Sequence, residues 1–146
     1  MSLNWDSTLS TGIGNIDDQH KELFNFINKL TYAMKEKKSK DEIIKALNCL
    51  EEYMIKHFNE EEAIQKQHNY PKFSIQHNQH EEFKSELQRL RNTFETTGIS
   101  SLFAITVQQK IFKGCRKHII DLDKDLGEFL IEQYRSQAEL DLEVIL

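Results

Sequence analysis

Along most of this 146-residue chain, apolar residues recur at alternating steps of three and four, the spacing that lines one face of an α-helix. Over residues 16–37 the inward positions are Ile16, His20, Leu23, Ile27, Leu30 and Met34. A second stripe follows Ser39, where Ser39-Lys-Asp-Glu42 has the form of a capping box. It runs through Ile43, Leu47, Leu50, Met54, His57, Glu61, Ile64 and His68. A third begins near Pro71, a good first-turn residue, with Phe73, Gln76, His80, Phe83, Leu87, Leu90 and Phe94 facing inward. Gly98 and Ser100 punctuate the turn to a fourth, which carries Gln108, Ile111, Cys115, His118 and Leu122, flanked by Ile105, Phe112 and Ile119. No segment alternates with the period of a strand. The pattern predicts an all-α fold, an up-down-up-down antiparallel four-helix bundle over 16–130 with an irregular N-terminal arm over 1–15. One domain is expected over 1–146. The tail, 131–146, is weakly amphipathic, and its pattern fits an extension of the last helix, a cover over the bundle or loose chain. Phe24, Phe26, Phe58, Phe83 and Phe129 are expected to pack around the centre.

Polar residues on these stripes are the anomaly. His20, His57, His80 and His118 each fall on the core face of a different helix, and Glu61 lies one turn after His57. Burying that many basic and acidic groups without partners costs several kcal/mol each. A metal at the bundle centre removes the cost by giving every ligand a charge to face. The donor set is imidazole and carboxylate without thiolate, which suits iron, manganese or zinc. A closed zinc site needs only four ligands, so the larger set here fits a two-iron centre better. Asp121, Asp123 and Asp125 follow His118, and periodicity does not choose among them. Asp123, five residues on, would point about 140° away from His118 on a straight helix. As a ligand it would require a locally widened or ended helix, as π-bulges provide.

The remaining composition narrows the function classes. A net charge of −5 argues against a nucleic-acid partner, and no apolar run is long enough to span a bilayer. The start has no basic region followed by an apolar stretch, so the expected compartment is the cytoplasm. Cys49 and Cys115 are far apart and show no ligand spacing; they are expected to be small buried hydrophobes. Lys35, Lys37, Lys38 and Lys40 mark a helix C-terminus and its turn. His68 is expected at a partly exposed turn.

The residues also resemble a known family. Asn4-Trp5-Asp6, Gly12-Ile13 and Ile16-Asp-Asp-Gln-His20-Lys21 are similar to the start of bacterial hemerythrins. His57-Phe58, Glu61-Glu62, Tyr70-Pro71, His80-Glu-Glu-Phe83, His118-Ile119 and Asp123-Lys124 continue the pattern in order, from about Trp5 to Leu130. The resemblance implies two non-haem iron ions joined by an oxo or hydroxo bridge. His20 and His57 would hold one iron, His80 and His118 the other, and Glu61 and Asp123 would bridge. It implies reversible dioxygen binding in a carrier, store, scavenger or sensor, as a monomer or small homo-oligomer, rather than an enzyme. The alternatives are a diiron oxidase, peroxidase or nitric-oxide-processing enzyme, or an iron-storage bundle.

The sequence departs from that family twice. The pattern expects a histidine four residues before His80, where this chain has Gln76. The position is open to the Gln76 amide oxygen, to water, or to His77 swinging in; loss of that metal is the further alternative. Gly114 stands where the family often has a tryptophan, which is expected to leave space or water near His118.

Overall fold

The computed structural model describes residues 2–145; Met1 of the expected arm and Leu146 of the expected tail lie outside the described residues. Helix α1 is Gly14–Lys35, α2 is Lys40–Gln67 and α3 is Phe73–Thr97. The fourth rod, 101–145, is continuous but not uniform. It comprises α4 (Ser101–Thr106), a π segment (Val107–Phe112), α5 (Lys113–His118), a second π segment (Ile119–Asp123) and α6 (Lys124–Ile145). The described residues include no strand.

Local chemistry sets the boundaries. Ser39 Oγ accepts from the Glu42 amide at 3.2 Å, as its cap motif predicts. Ser100 Oγ accepts from the Phe103 amide at 3.1 Å and starts the fourth rod. Gly98 closes α3 at φ +65°, a conformation open to glycine without strain. Pro71 falls in the turn before α3, not in its first turn, because Lys72 is the N-cap.

Short turns make sequential helices antiparallel neighbours: α1 packs on α2, α2 on α3, and α3 on the fourth rod, which closes back on α1. The N-terminal arm is irregular apart from a single 3₁₀ turn, Ser7–Leu9. It is strapped to α1 at two points. Asn28 exchanges two hydrogen bonds with the Leu3 backbone, at 2.7 and 2.8 Å. Asp17 accepts from Ser10 Oγ and from the Thr11 amide and hydroxyl, at 2.6–2.8 Å.

The fourth rod departs from the expected stripe. Its buried residues include Phe103, Val107, Ile111, Cys115, Ile119 and Asp123, a run of five consecutive steps of four. On a straight α-helix those steps would drift by about 200°. The two π segments each widen a turn by one residue and hold the stripe on one face. Val107 is therefore buried where Gln108 was expected inward, Leu122 is only half-buried, and Ile105 is exposed.

Two apolar clusters bracket the middle of the bundle. The larger includes Leu23, Phe24, Leu50, Met54, Phe58, Phe83, Cys115 and Ile119. The smaller holds Ile16, Tyr70, Leu126 and Leu130, toward the α2–α3 turn. The tail continues as helix, and every described residue from 131 onward is exposed.

Candidate metal centre

Between the two clusters, each helix turns one or more polar side chains inward. His20 comes from α1, His57 and Glu61 from α2, Gln76 and His80 from α3, and His118 and Asp123 from the fourth rod; all are buried. Asp123 reaches the centre because the π segment Ile119–Asp123 lies between it and His118. The widened turn removes the angular offset of a straight helix and puts both on one face.

The two carboxylates face both pairs of imidazoles. Glu61 presents Oε2 to His57 Nε2 at 3.3 Å and Oε1 to His80 Nε2 at 3.2 Å. Asp123 presents Oδ2 to His20 Nε2 at 2.9 Å and Oδ1 to His118 Nε2 at 3.1 Å. Every imidazole thus turns its Nε2 toward a carboxylate, and each carboxylate offers one oxygen to either side. Ligand atoms of His20, His57, Glu61 and Asp123 lie within 4.8 Å of one another, as do those of Glu61, His80 and His118. Although close, His20 Nε2, His80 Nε2, His118 Nε2, both Glu61 oxygens and Asp123 Oδ2 make no aligned hydrogen bond. Buried polar atoms that approach without pairing are costly, and a cation among them satisfies all at once. The donor set therefore fits a metal centre, with Glu61 common to both groups of ligand atoms.

The outward-facing ring nitrogens of His57, His80 and His118 are anchored, whereas His20 Nδ1 has no hydrogen-bond partner. Gln19 Oε1 lies 2.6 Å from His57 Nδ1, and Gln79 Oε1 lies 2.8 Å from His118 Nδ1. Glu62 Oε2 lies 2.9 Å from His80 Nδ1, while its Oε1 holds His77 Nδ1 at 2.7 Å. Such partners fix the tautomer that leaves Nε2 free for a metal. Sequence reasoning missed Gln19, Glu62 and Gln79. A usable signal was present: Gln19-His20 and Gln79-His80 are the same dipeptide on opposite helices, each glutamine reaching the imidazole of the next helix.

Electrostatics without metal follow from the same contacts. Burial works against the Asp123 charge, but His118 and His20 outweigh it and hold the carboxyl well below the usual carboxylate range. Glu61 is also lowered: burial and Asp123 oppose its charge, and His57 and His80 prevail. Burial alone would lower His57 and His118, yet facing Glu61 and Asp123 respectively they are raised.

Gln76 is buried and donates from Nε2 to Asp123 Oδ1 at 2.9 Å, leaving its Oε1 without a partner. His77 points outward, its side chain 43% exposed. Phe58 stacks on His80 at 3.9 Å, and Phe83 meets His118 edge-on at 5.6 Å. Phe24 is core, whereas Phe26 pairs with Tyr53 and Phe129 with Tyr70, away from the centre. A Cβ on Gly114 would lie 3.3 Å from Phe83 Cε1, so Phe83 closes most of the space expected there. What stays open is a surface groove of 710 Å³ lined by Gly114, Gln79 and His118. Cys115 is buried, and burial with the nearby Asp123 pushes its thiol up to about 12; Cys49 is half-buried. His68 caps α2, half-buried against Tyr134.

Residues 11–130 match the model of the hemerythrin HHE cation-binding domain. The chain belongs to the hemerythrin family. The chain is 29% identical over 93 residues to the bacteriohemerythrin of Methylococcus capsulatus, covering 63% of this chain and 70% of that one. Its fold is similar to crystal structures of hemerythrin in which one leucine is replaced. The alanine form gives a TM-score of 0.75 at 26% identity, covering 88% of this chain and 97% of that chain. The tyrosine form gives 0.74 at 26% identity, covering 86% and 95%. Among the described residues, no helix is long and apolar enough to cross a membrane.

Proposed function

We propose that this member of the family is a non-haem diiron protein that binds dioxygen reversibly, with residues 1–146 acting as one domain. His20 and His57 would hold one iron and His80 and His118 the other, with Glu61 and Asp123 shared between them. The observation that carries this reading is the two-sided presentation of Glu61 and Asp123, one oxygen toward each imidazole pair. Imidazole and carboxylate donors without thiolate suit iron. Bound iron would supply the electrons through which dioxygen is taken up and released.

The protein residues do the rest. Gln19, Glu62 and Gln79 orient the rings of His57, His80 and His118 respectively. The apolar clusters on both sides exclude water, which keeps the buried charges strongly coupled to one another. Phe58 and Phe83 wall the His80–His118 side.

Iron per chain, with absorption spectra under air and under argon, tests the reading. The expected result is two irons and a band that appears with air and disappears with argon. A protein that retains no iron, or one that consumes oxygen without a reversible band, overturns it. The second outcome is that of a diiron oxidase or peroxidase. Gln76 favours that reading, because an amide in place of an imidazole leaves one side of the centre less fully occupied by nitrogen donors.

A further inference from the structure

One fully buried polar side chain has no role in the ligand set or among the groups that orient it. Gln65 is 0% exposed, and neither its Oε1 nor its Nε2 has a hydrogen-bond partner. Leaving both ends of a buried amide unpaired is costly, and such groups are retained where something completes them. Gln76, on the facing helix, is also 0% exposed and has a free Oε1.

Helix register brings the two together. Glu61 of α2 and His80 of α3 lie at one level, with Oε1 and Nε2 3.2 Å apart. The helices are antiparallel, so four residues forward on α2 and four back on α3 reach one common level. Those residues are Gln65 and Gln76. Both therefore sit one turn from the carboxylate–imidazole layer, toward the α2–α3 turn. From there Gln76 reaches back into the layer, donating to Asp123 Oδ1, the oxygen that faces His118. Beyond them lies the apolar cluster of Ile16, Tyr70, Leu126 and Leu130, which offers the amides only the Tyr70 hydroxyl, and that donates to Asp125 at 2.5 Å. Gln76 therefore faces the metal centre through Asp123, and Gln65, level with it, finds no partner on the apolar side.

Resting on the diiron reading above, the structure assigns Gln65 and Gln76 to a second small-ligand site, beside the metal position faced by His80 and His118. Each metal position has two imidazoles and a share of two carboxylates, so each keeps room for an exogenous ligand. On the His80–His118 side, Gln65 Nε2 supplies the hydrogen bond to that ligand, and Gln76 Oε1 accepts from it when it carries a proton. The chemistry selects a small hydrogen-bond acceptor that can also ligate a metal: water or hydroxide at rest, replaced by an anion such as azide. Gln76 both holds Asp123 through Nε2 and meets a protonated ligand through Oε1, while Gln65 donates to the ligand in either form.

Azide titration of the iron-loaded protein, followed by absorption and calorimetry beside iron per chain, is the test. Wild type is expected to bind two azides per chain. Gln65→Met, nearly isosteric and apolar, is expected to keep two irons and bind the second azide at least tenfold more weakly. Gln76→Met is the second variant should the first fold poorly; it releases Asp123 and is expected to weaken the second azide at least tenfold through that loss of positioning. If wild type loads two irons but binds one azide, or if both variants bind two as tightly as wild type, this assignment falls and the diiron reading stands. A wild-type protein that loads no iron removes both.

Discussion

His118 Nε2 and Asp123 Oδ1 lie 3.1 Å apart although five residues separate them in the chain. The π segment between them brings this about, and it closes the fourth side of the centre. Asp123→Asn keeps the shape of the side chain and removes its charge. We expect metal affinity to fall more than 100-fold, exceeding the about 10–100-fold cost of losing an outer hydrogen-bond partner. Chelator competition measures it. Unchanged affinity would show that Asp123 is not a shared ligand.

Gln79 supports the same imidazole from behind. Gln79→Leu removes the acceptor at His118 Nδ1 and frees the ring to turn. A loss of about 10–100-fold in metal affinity is expected, with secondary structure retained by circular dichroism. A variant that binds metal as wild type does would mean that packing against Phe83 alone fixes the ring.

Phe58 contributes to the fold and to the site, being 3% exposed and stacked on His80. Truncating a buried phenylalanine to alanine costs about 3–5 kcal/mol through lost burial and the cavity left behind. Urea denaturation of metal-free Phe58→Ala should show that loss. A change below 1 kcal/mol, on the order of a surface substitution, would mean that the site collapses around the gap.

The metal-free protein should respond to pH in a defined direction. His57 and His118 are raised above their ordinary 6.5, so their stabilisation is complete below that value. It is lost as pH rises through their folded values. Glu61 and Asp123 are lowered, so theirs is present above the ordinary carboxylate range and is lost as pH falls through the folded values. The thermal midpoint should therefore peak on the acid side of neutrality and decline toward pH 9. Metal uptake should strengthen over the same rise, because metal needs deprotonated imidazoles. A midpoint flat from pH 5 to 9 would contradict the ion-paired description.

Removing residues 137–146 should leave stability unchanged, within about 0.5 kcal/mol, because no described residue there is buried. Thermal unfolding beside circular dichroism should show the same midpoint with less helix per chain. A drop of several degrees would mean that this segment packs on something in solution.

Much was legible in the chain because a helix repeats locally. The three-four stripes of α1, α2 and α3 placed His20, His57, Glu61, Gln76 and His80 on inward faces, and the Ser39 and Ser100 caps marked where helices begin. The apolar-and-histidine period also limited the fold to a bundle, since each helix had one face to bury. The fourth rod was misread for the same reason that the others were legible. A fixed period of 3.6 cannot represent two widened turns, so Gln108, Ile105 and Leu122 were misplaced and Asp123 was left open. A run of five steps of four, from Phe103 to Asp123, was the signal available. Tertiary structure alone decided which oxygen faces which ring, that Gln76 turns to Asp123 and His77 to Glu62, and that Gln65 is fully buried without a partner. Those choices depend on distances between helices, and no one-dimensional period contains them.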